Sequence, residues 1–531
     1  VRSFLARHAP AAAAGVIALL VVLAWANRFM QDDAFISFRY ARHLVEGHGL
    51  VWNVGERIEG YTNFLWVLVV ALGLFLGADA VVWSQAAGLL LFAGTLLMSW
   101  RLLGEVTKDE AVSLVALAVL GTNYTVCIYA TGGLETQLQA FACVSVATLA
   151  ATGMRRGQWS TRELVALSAA MAAALLTRLD SAIVCVVAAA FCAASWRRAP
   201  QAVFLRRMLL LAGPVTLLVG GWLLWKLSYY GSVLPNTFRV KGSFDSFARG
   251  AWYLHRFATS YLLYPLAVLA AAGLPRFFRE ASRTMVMLAV MVAAMLLYVV
   301  SVGGDFMEFR FLVTPLVLAA PLGAWLLGTY VTHRALRAAA IALLAYGSLH
   351  HATTFRYDSF YEIESRAMLE GHLYLPNEQW ENIGTVLGNA FGHDPAVRIA
   401  VTAAGAIPYY SGLTTIDMLG LSDLFVPTGG IVLGNRPGHQ RIAPLSYLRE
   451  RDVHLAVSHP TVVPAGSPTF VAPFLPRAEG EPVPDIPLVE IPLDRAHKLV
   501  AWYLTPDPRV DEVIRRNGWK VTRVSAAGDV R

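Results

Sequence analysis

Gln31-Asp32-Asp33-Ala34-Phe35-Ile36-Ser37-Phe38-Arg39-Tyr40 follows directly on an apolar run over residues 11–25. Two adjacent carboxylates at the mouth of a membrane helix are costly unless water, a cation or a substrate meets them. The stretch therefore reads as the wet wall of a site. The apolar segments after it read as the structure built around that site.

The 531-residue chain is 56% hydrophobic and only 15% charged, against about 25% charged in a typical soluble domain. The deficit is uneven. Apolar runs of membrane-spanning length recur up to about residue 351 and then stop. This predicts a polytopic α-helical membrane part over 1–351 and a water-soluble part over 352–531. The net charge of +7 comes from short Arg and Lys clusters between apolar runs. That is the pattern of membrane orientation, and it argues against nucleic acid as a partner. Cys127, Cys143, Cys185 and Cys192 lie inside apolar runs and read as small buried residues, with no disulfide framework and no metal-type cluster.

Charge also sets the path. Arg2 and Arg7 put the N-terminus in the cytoplasm, and run 11–25, with no small-residue cleavage site behind it, reads as a retained first span. The next apolar run, 63–77, reaches roughly 22 Å at 1.5 Å per residue, short of a ~30 Å hydrocarbon core. If it crossed, Arg155-Arg156 and Arg197, Arg198, Arg206 and Arg207 would fall outside. If it lies in the interface or re-enters, every basic cluster falls inside. The second path is adopted. It predicts about eleven spans, near 10–27, 80–101, 110–129, 134–153, 163–178, 180–196, 208–229, 254–273, 283–302, 310–330 and 336–351. It places the soluble part outside, together with a long first loop over 28–79. Every outer loop then brings an acid, a base or both to one side of the membrane.

From about residue 352 the pattern changes. Strands are expected near 398–401, 413–418, 453–457, 488–491 and 499–504, with a turn into a short helix over 403–410. A helix over 508–517 is expected from Asp507 as N-cap, Pro508 at the first position and Gly518 as the stop. Residues 429–444, rich in Gly and Pro, read as a loop. The soluble part is a small α/β domain.

A carboxylate can take a proton from an alcohol that is becoming a nucleophile. One of Asp32 and Asp33 is expected to be that base, and the other a structural or cation-binding partner. The competing reading is a helix N-cap followed by a first-turn acid. In the rest of the first loop, Arg39, Glu59 and Tyr61 stand out among alternating acids, bases and aromatics; interfacial packing suits Tyr61 well. Glu135 starts a predicted span and doubles as a helix N-terminal acid. Arg178 and Asp180 flank a tight turn, as an ion pair or as ligands. Asn236 and Lys241 lie in one outer loop, and Asp305 and Arg310 close another. Basic groups on the outer face break the usual charge bias, so Arg178, Lys241 and Arg310 are candidates to hold an anion such as phosphate. Tyr409 and His439 come from the soluble part and are candidates to position an acceptor glycan, since aromatic faces suit sugars; packing explains the tyrosine equally well, and a lone histidine is more often a surface group.

Asp32–Arg42 with Gly49-Leu50-Val51-Trp52-Asn53 and 59–66 (Glu-Gly-Tyr-Thr-Asn-Phe-Leu-Trp) resembles bacterial GT-C glycosyltransferases, in particular the terminal arabinofuranosyltransferase-like proteins. Gly133-Leu134-Glu135-Thr136, Thr177-Arg178-Leu179-Asp180, 230–237, Gly303-Gly304-Asp305-Phe306-Met307 and 404–410 carry the likeness further. Leu179 stands where relatives often have Pro. The resemblance implies many transmembrane helices, a first outer loop with interfacial helices and a catalytic acid at Asp32 or Asp33, and a periplasmic C-terminal domain. The expected activity is inverting transfer of a sugar from a polyprenyl-phosphate donor to an envelope glycan or glycolipid, outside the bacterial inner membrane. A divalent cation at Asp33 is left open. A lipid-linked-sugar flippase and a non-catalytic envelope protein are the alternatives; the scarcity of ionisable groups inside the spans argues against transport.

Overall fold

The computed structural model describes residues 2–240, 246–374, 378–434, 436, 438–467, 473–477 and 485–523. Sixteen helices lead: α1 Arg2–Ala26, α2 Asp32–Val45, α3 Phe64–Phe75, α4 Ala80–Val106, α5 Glu110–Thr122, α6 Tyr124–Ile128, α7 Thr136–Arg156, α8 Thr161–Thr177, α9 Ala182–Trp196, α10 Gln201–Tyr230, α11 Asn236–Val240, α12 Ser246–Ser260, α13 Tyr264–Glu280, α14 Arg283–Ser301, α15 Val313–Trp325 and α16 Arg334–Thr354. Local chemistry sets several ends. Asp79 and Asp109 accept backbone N–H bonds at the starts of α4 and α5, Ser160 and Glu163 close a capping box on α8, and Gly157 at φ +68° stops α7.

Among the described residues seven helices are long and apolar enough to cross a membrane, or eight with one bent pair. Leu209, Leu217 and Leu224 of α10 are 71%, 76% and 70% exposed, which suits lipid and not water. This is a multi-pass membrane protein.

Fewer of the described helices meet that length and hydropathy than the eleven spans expected, for physical reasons. The run expected over 254–273 is two helices, α12 and α13, bent by 104°. Leu262 takes a left-handed φ of 55° at the break, and Pro265 restarts the chain at the head of α13. The run expected over 110–129 breaks at Asn123, whose side chain accepts from the Val126 N–H and so caps α6. α5 and α8 are short, at 13 and 17 residues.

The reading of 63–77 as a non-crossing segment fits the geometry. Asn63, ahead of α3, bonds Glu135, and Trp66 Nε1 donates to the Gly133 carbonyl. After α3 the chain passes straight into α4, where Gln85 donates to the Phe29 carbonyl beside α2. Both ends of α3 thus lie at the same end of the bundle. The basic loops lie at the other end, where Arg155 pairs with Glu105, and Arg156 with Glu163 at 2.9 Å.

Beyond α16 come β1 Tyr357–Asp358, β2 Ile363–Glu364, α17 Arg366–Gly371, α18 Trp380–Phe391, β3 Arg398–Val401, α19 Ala406–Ser411, β4 Thr414–Asp417, α20 Val426–Gly429, β5 Ile431–Val432, β6 Arg441–Ile442, α21 Leu445–Glu450, β7 Leu455–Pro464, β8 Pro487–Pro492, β9 His497–Tyr503, α22 Pro508–Arg516 and β10 Lys520–Arg523. Six strands form one mixed sheet in the order β10-β8-β9-β7-β3-β4, parallel across β7-β3-β4 and antiparallel elsewhere. The five expected strands and the helix begun at Asp507 are present. Residues 429–444 hold a short β5-β6 ladder as well as loop, because Ile431 and Ile442 pack against the core behind the sheet. Helix α18, which the sequence reading missed, packs on α19.

The soluble part is bolted to α2 and the first loop. Arg39, 3% exposed, donates to the carbonyls of Trp52, Pro408 and Leu413 and to the Asn53 side chain. Asn236 donates to the carbonyls of Gly420, Leu421 and Asp423. Both residues, expected to touch or support substrate, are clamps between the two parts of the chain.

Candidate functional site

The acid- and base-bearing loops meet at one end of the bundle. Asn63 donates to Glu135 at 2.8 Å, Glu135 accepts from Arg178 at 2.9 Å, and Arg178 grips Asp180 at 2.8 Å. Gln139 of α7 holds the other face of Asp180 at 2.6 Å. Asp305 pairs with Arg310 at 2.7 Å. Arg310 in turn lies within the electrostatic reach of Glu135, Arg178 and Asp33. Asp33, Asn63, Glu135, Arg178, Asp180, Asp305 and Arg310 therefore form one polar layer from five segments of the chain.

Within that layer the two basic groups differ. Arg178 has Nε and one amino nitrogen on Asp180 and the other amino nitrogen on Glu135. All three of its nitrogens are engaged by carboxylates, so its geometry is that of an orienting strut more than a vacant anion site. Arg310 gives its Nε to Asp305. Lys241, the third candidate anion ligand, lies outside the described residues.

The two neighbouring acids also part company. Asp32 accepts from the Gly405 N–H at 3.0 Å and the Ala406 N–H at 2.7 Å. It thereby satisfies the first donors of α19, the job of a capping carboxylate, across the junction with the soluble domain. Burial pushes its carboxyl up to about 7 despite those bonds, and the charge on Asp33 adds to the rise. Asp32 and Asp33 both line a cavity of about 310 Å³. The cavity lies between the start of α2, the Phe306-Met307 loop and the soluble domain, whose Glu364, His372, Trp380, Arg436 and His439 face it. Glu364 bridges Arg436 at 2.6 Å and His372 at 3.3 Å, and His372 reaches Glu378 at 3.1 Å. None of these except His439 was legible in advance. His439 sits edge-on to Phe306, 5.7 Å between ring centroids.

Other expected residues serve the frame. Tyr409 is 5% exposed, wedged against Phe35 and Phe38 with Arg42 3.6 Å above its ring. It packs the interface and does not line the cavity. Tyr61 bonds Tyr230 at 3.2 Å. Glu59 forms a buried pair with Lys226 of α10 at 2.8 Å. A lone lysine inside an apolar run was the signal for that pair. Among the described residues no group of three or more His, Cys, Asp or Glu converges to hold a metal ion, so the cation considered above finds no ready donor set there.

Two expected results arise here. Gly405 takes φ −99° and ψ −89° against Asp32, and a Cβ on it would sit 2.0 Å from the Asp32 carbonyl oxygen. Gly405→Ala is expected to pry α19 from α2, read as a lower melting temperature in detergent and faster proteolysis of the soluble domain. Wild-type values for both would refute the docking argument. Second, two carboxylates hold His372 protonated, up to about 9, against the opposing effect of burial. A histidine raised in the folded state gives stability that is full below about 6.5 and lost as pH rises through about 9. Thermal melts should therefore weaken across that window, and His372→Gln should flatten the change. An equal pH slope in the variant would exclude this origin.

A family model described as a domain of unknown function (DUF8728) matches residues 372–503. The chain is 28% identical over 349 residues to a terminal beta-(1->2)-arabinofuranosyltransferase of Mycobacterium tuberculosis, covering 56% of this chain and 53% of that one. It is 26% identical over 334 residues to the protein of that name from Corynebacterium glutamicum, covering 55% and 47%. The chain thus spans about half the length of the curated relatives it matches. In structure it is similar to ArnT from Cupriavidus metallidurans bound to undecaprenyl phosphate, with a TM-score of 0.54 at 13% identity over 92% of this chain and 97% of that one. It is also similar to a mutant of arabinofuranosyltransferase AftD from Mycobacteria, with a TM-score of 0.52 at 14% identity over 93% and 41%. The chain has the GT-C fold, and its curated sequence relatives are terminal arabinofuranosyltransferases.

Proposed function

We propose that this protein is an inverting glycosyltransferase that moves a sugar, arabinofuranose by its relatives' names, from a polyprenyl-phosphate donor to an envelope glycan. The observation that carries the reading is the division of labour between the paired acids. Asp32 and Asp33 both line the cavity; both carboxylate oxygens of Asp32 accept from backbone N–H groups of the C-terminal domain, while the charge of Asp33 acts on Arg310. Asp33 is the base. It takes the proton of an acceptor hydroxyl, whose oxygen attacks the anomeric carbon from the side opposite the phosphate. The bond from that carbon to the phosphate oxygen breaks, polyprenyl phosphate leaves with the electron pair, and the configuration inverts.

Stabilising the departing phosphate is the main electrostatic task. In this reading Arg310 meets the phosphate, Arg178 fixes Glu135 and Asp180, and Lys241 is a further candidate ligand; the shared layer of Arg310 and Arg178 supports it. The likeness to ArnT with its undecaprenyl phosphate supports a lipid-phosphate donor. The donor's tail would stay in the bilayer among the apolar helices. The charge path of the sequence supports a site on the outer face of the membrane, which for a bacterial inner membrane makes the C-terminal domain periplasmic, with His439 toward the acceptor.

The test is purified protein in detergent with a labelled polyprenyl-phosphate sugar and a glycan acceptor. Release of polyprenyl phosphate with a new glycosidic bond is expected. Label that crosses a liposome membrane without any new bond would favour a flippase instead.

A further inference from the structure

The wall beside Asp33 holds polar groups without a hydrogen-bond partner; Arg436 Nε is one, facing the Glu362 carboxylate at 3.6 Å, and two others lack even a charged partner. Gln31 is 1% exposed and lines the cavity, yet neither its amide oxygen nor its amide nitrogen has a hydrogen-bond partner. Trp380 is 8% exposed, lines the same cavity, and its Nε1–H is equally without a partner. Buried polar groups are nearly always paired, because leaving them unpaired forfeits their hydration. Two such groups in one cavity mark a place where something else supplies the bonds.

Both side chains are held in position. Gln31 is the N-cap residue of α2, with an extended backbone whose carbonyl accepts from the Ala34 N–H at 3.2 Å. Its side chain makes no capping bond to the helix. The Trp380 ring stacks flat on His372, 4.7 Å between centroids and 7° from parallel. His372 is itself pinned through both ring nitrogens, by Glu364 and Glu378. The indole is therefore a fixed donor on a fixed plane.

The chemistry selects the ligand class. An amide presents donors and an acceptor side by side, and the indole adds one more donor. Hydroxyls on adjacent carbons, each both donor and acceptor, match that set; a phosphate, which accepts only, would leave the amide oxygen unpaired, and a hydrocarbon would pair neither. At about 310 Å³ the cavity is at the small end of ligand pockets. We propose that Gln31 and Trp380 form a sugar subsite beside Asp33, which binds one ring by its hydroxyls. This rests on the glycosyl-transfer reading and names the part of the substrate that this wall recognises. The ring is either the donor's or the acceptor's, and the experiment separates the two.

The full chain in detergent is titrated calorimetrically with three probes: farnesyl phosphate, farnesyl phosphoryl arabinofuranose and a short arabinan oligosaccharide. Gln31→Met keeps the volume and removes the amide; Trp380→Phe keeps an aromatic plane and removes the N–H. Each is expected to weaken one sugar-bearing probe about tenfold, the worth of one hydrogen bond, and to leave farnesyl phosphate unchanged. Loss on the farnesyl-linked sugar assigns the donor ring, and loss on the oligosaccharide assigns the acceptor ring. Unchanged binding of both sugar probes, as for a wall that holds only water, overturns the subsite. So does equal weakening of all three probes. Where Gln31→Met melts early, Gln31→Glu, which keeps an acceptor oxygen and the length, carries the same comparison. Wild-type protein that transfers sugar beside unaffected variants refutes the subsite alone; wild-type protein that neither binds the sugar probes nor transfers sugar refutes the parent reading too.

Discussion

Asp33→Asn is expected to lower turnover by about 10²–10⁴-fold, the usual worth of a general base, with the protein still folded. The adjacent substitution should behave differently. In Asp32→Asn the carboxamide keeps one acceptor oxygen but turns an NH₂ toward a backbone N–H of Gly405 or Ala406, the two donors that Asp32 now satisfies. One bond is lost and two donors face each other. The expected loss is in stability, as a lower melting temperature, with turnover falling less than in Asp33→Asn. The measurement is polyprenyl phosphate released per enzyme, alongside melts of both variants. Full turnover in Asp33→Asn would remove the base assignment. The larger catalytic loss in Asp32→Asn would exchange the two roles.

The second large effect is on stability. Lys226 sits 2.8 Å from Glu59, with side chains only 1% and 4% exposed. Lys226→Met strands a buried carboxylate, and breaking a buried pair from one side costs about 3–5 kcal/mol. Burial already pushes Glu59 up to about 7 against the pull of Lys226. Without the lysine it rises further. A carboxyl raised in the folded state costs stability increasingly as pH climbs above its unfolded value, so the deficit of Lys226→Met should be larger at pH 8 than at pH 5. Adding Glu59→Gln should recover most of it. Unfolding in detergent with a denaturant series would show this; a deficit independent of pH, or no recovery in the double variant, would assign the cost to packing.

How much of this was readable in the chain follows from the physics of each signal. Helix positions were readable because apolar runs and caps such as Ser160 with Glu163 are local. The shortness of α3 was readable because its apolar run is brief against the fixed ruler of hydrocarbon thickness. The break between α12 and α13 was not, because hydropathy averages over Leu262 and Pro265. The convergence of Glu135, Arg178, Asp180, Asp305 and Arg310 was foreseen as a set, since each sits in a loop on the same side of the path. Of their pairings, Arg178 with Asp180 was offered by the tight turn between them; Arg178 with Glu135 was not, because partners 43 residues apart leave no mark in spacing. The same limit hid the cavity's far wall. Glu364, His372, Trp380 and Arg436 are ordinary residues of a soluble domain until the fold brings them to α2. Tyr409 shows the converse: an aromatic suited to a sugar by type is, by burial, a packing group.

The central claim is that sugar transfer takes place at Asp33, between α2 and the soluble domain. The most direct measurement is a structure of the protein with a bound farnesyl phosphoryl sugar. The account predicts the phosphate on Arg310 and the anomeric carbon opening toward the Asp33 cavity. A donor seated at the opposite end of the bundle, among the basic loops around Arg155 and Arg206, would contradict it.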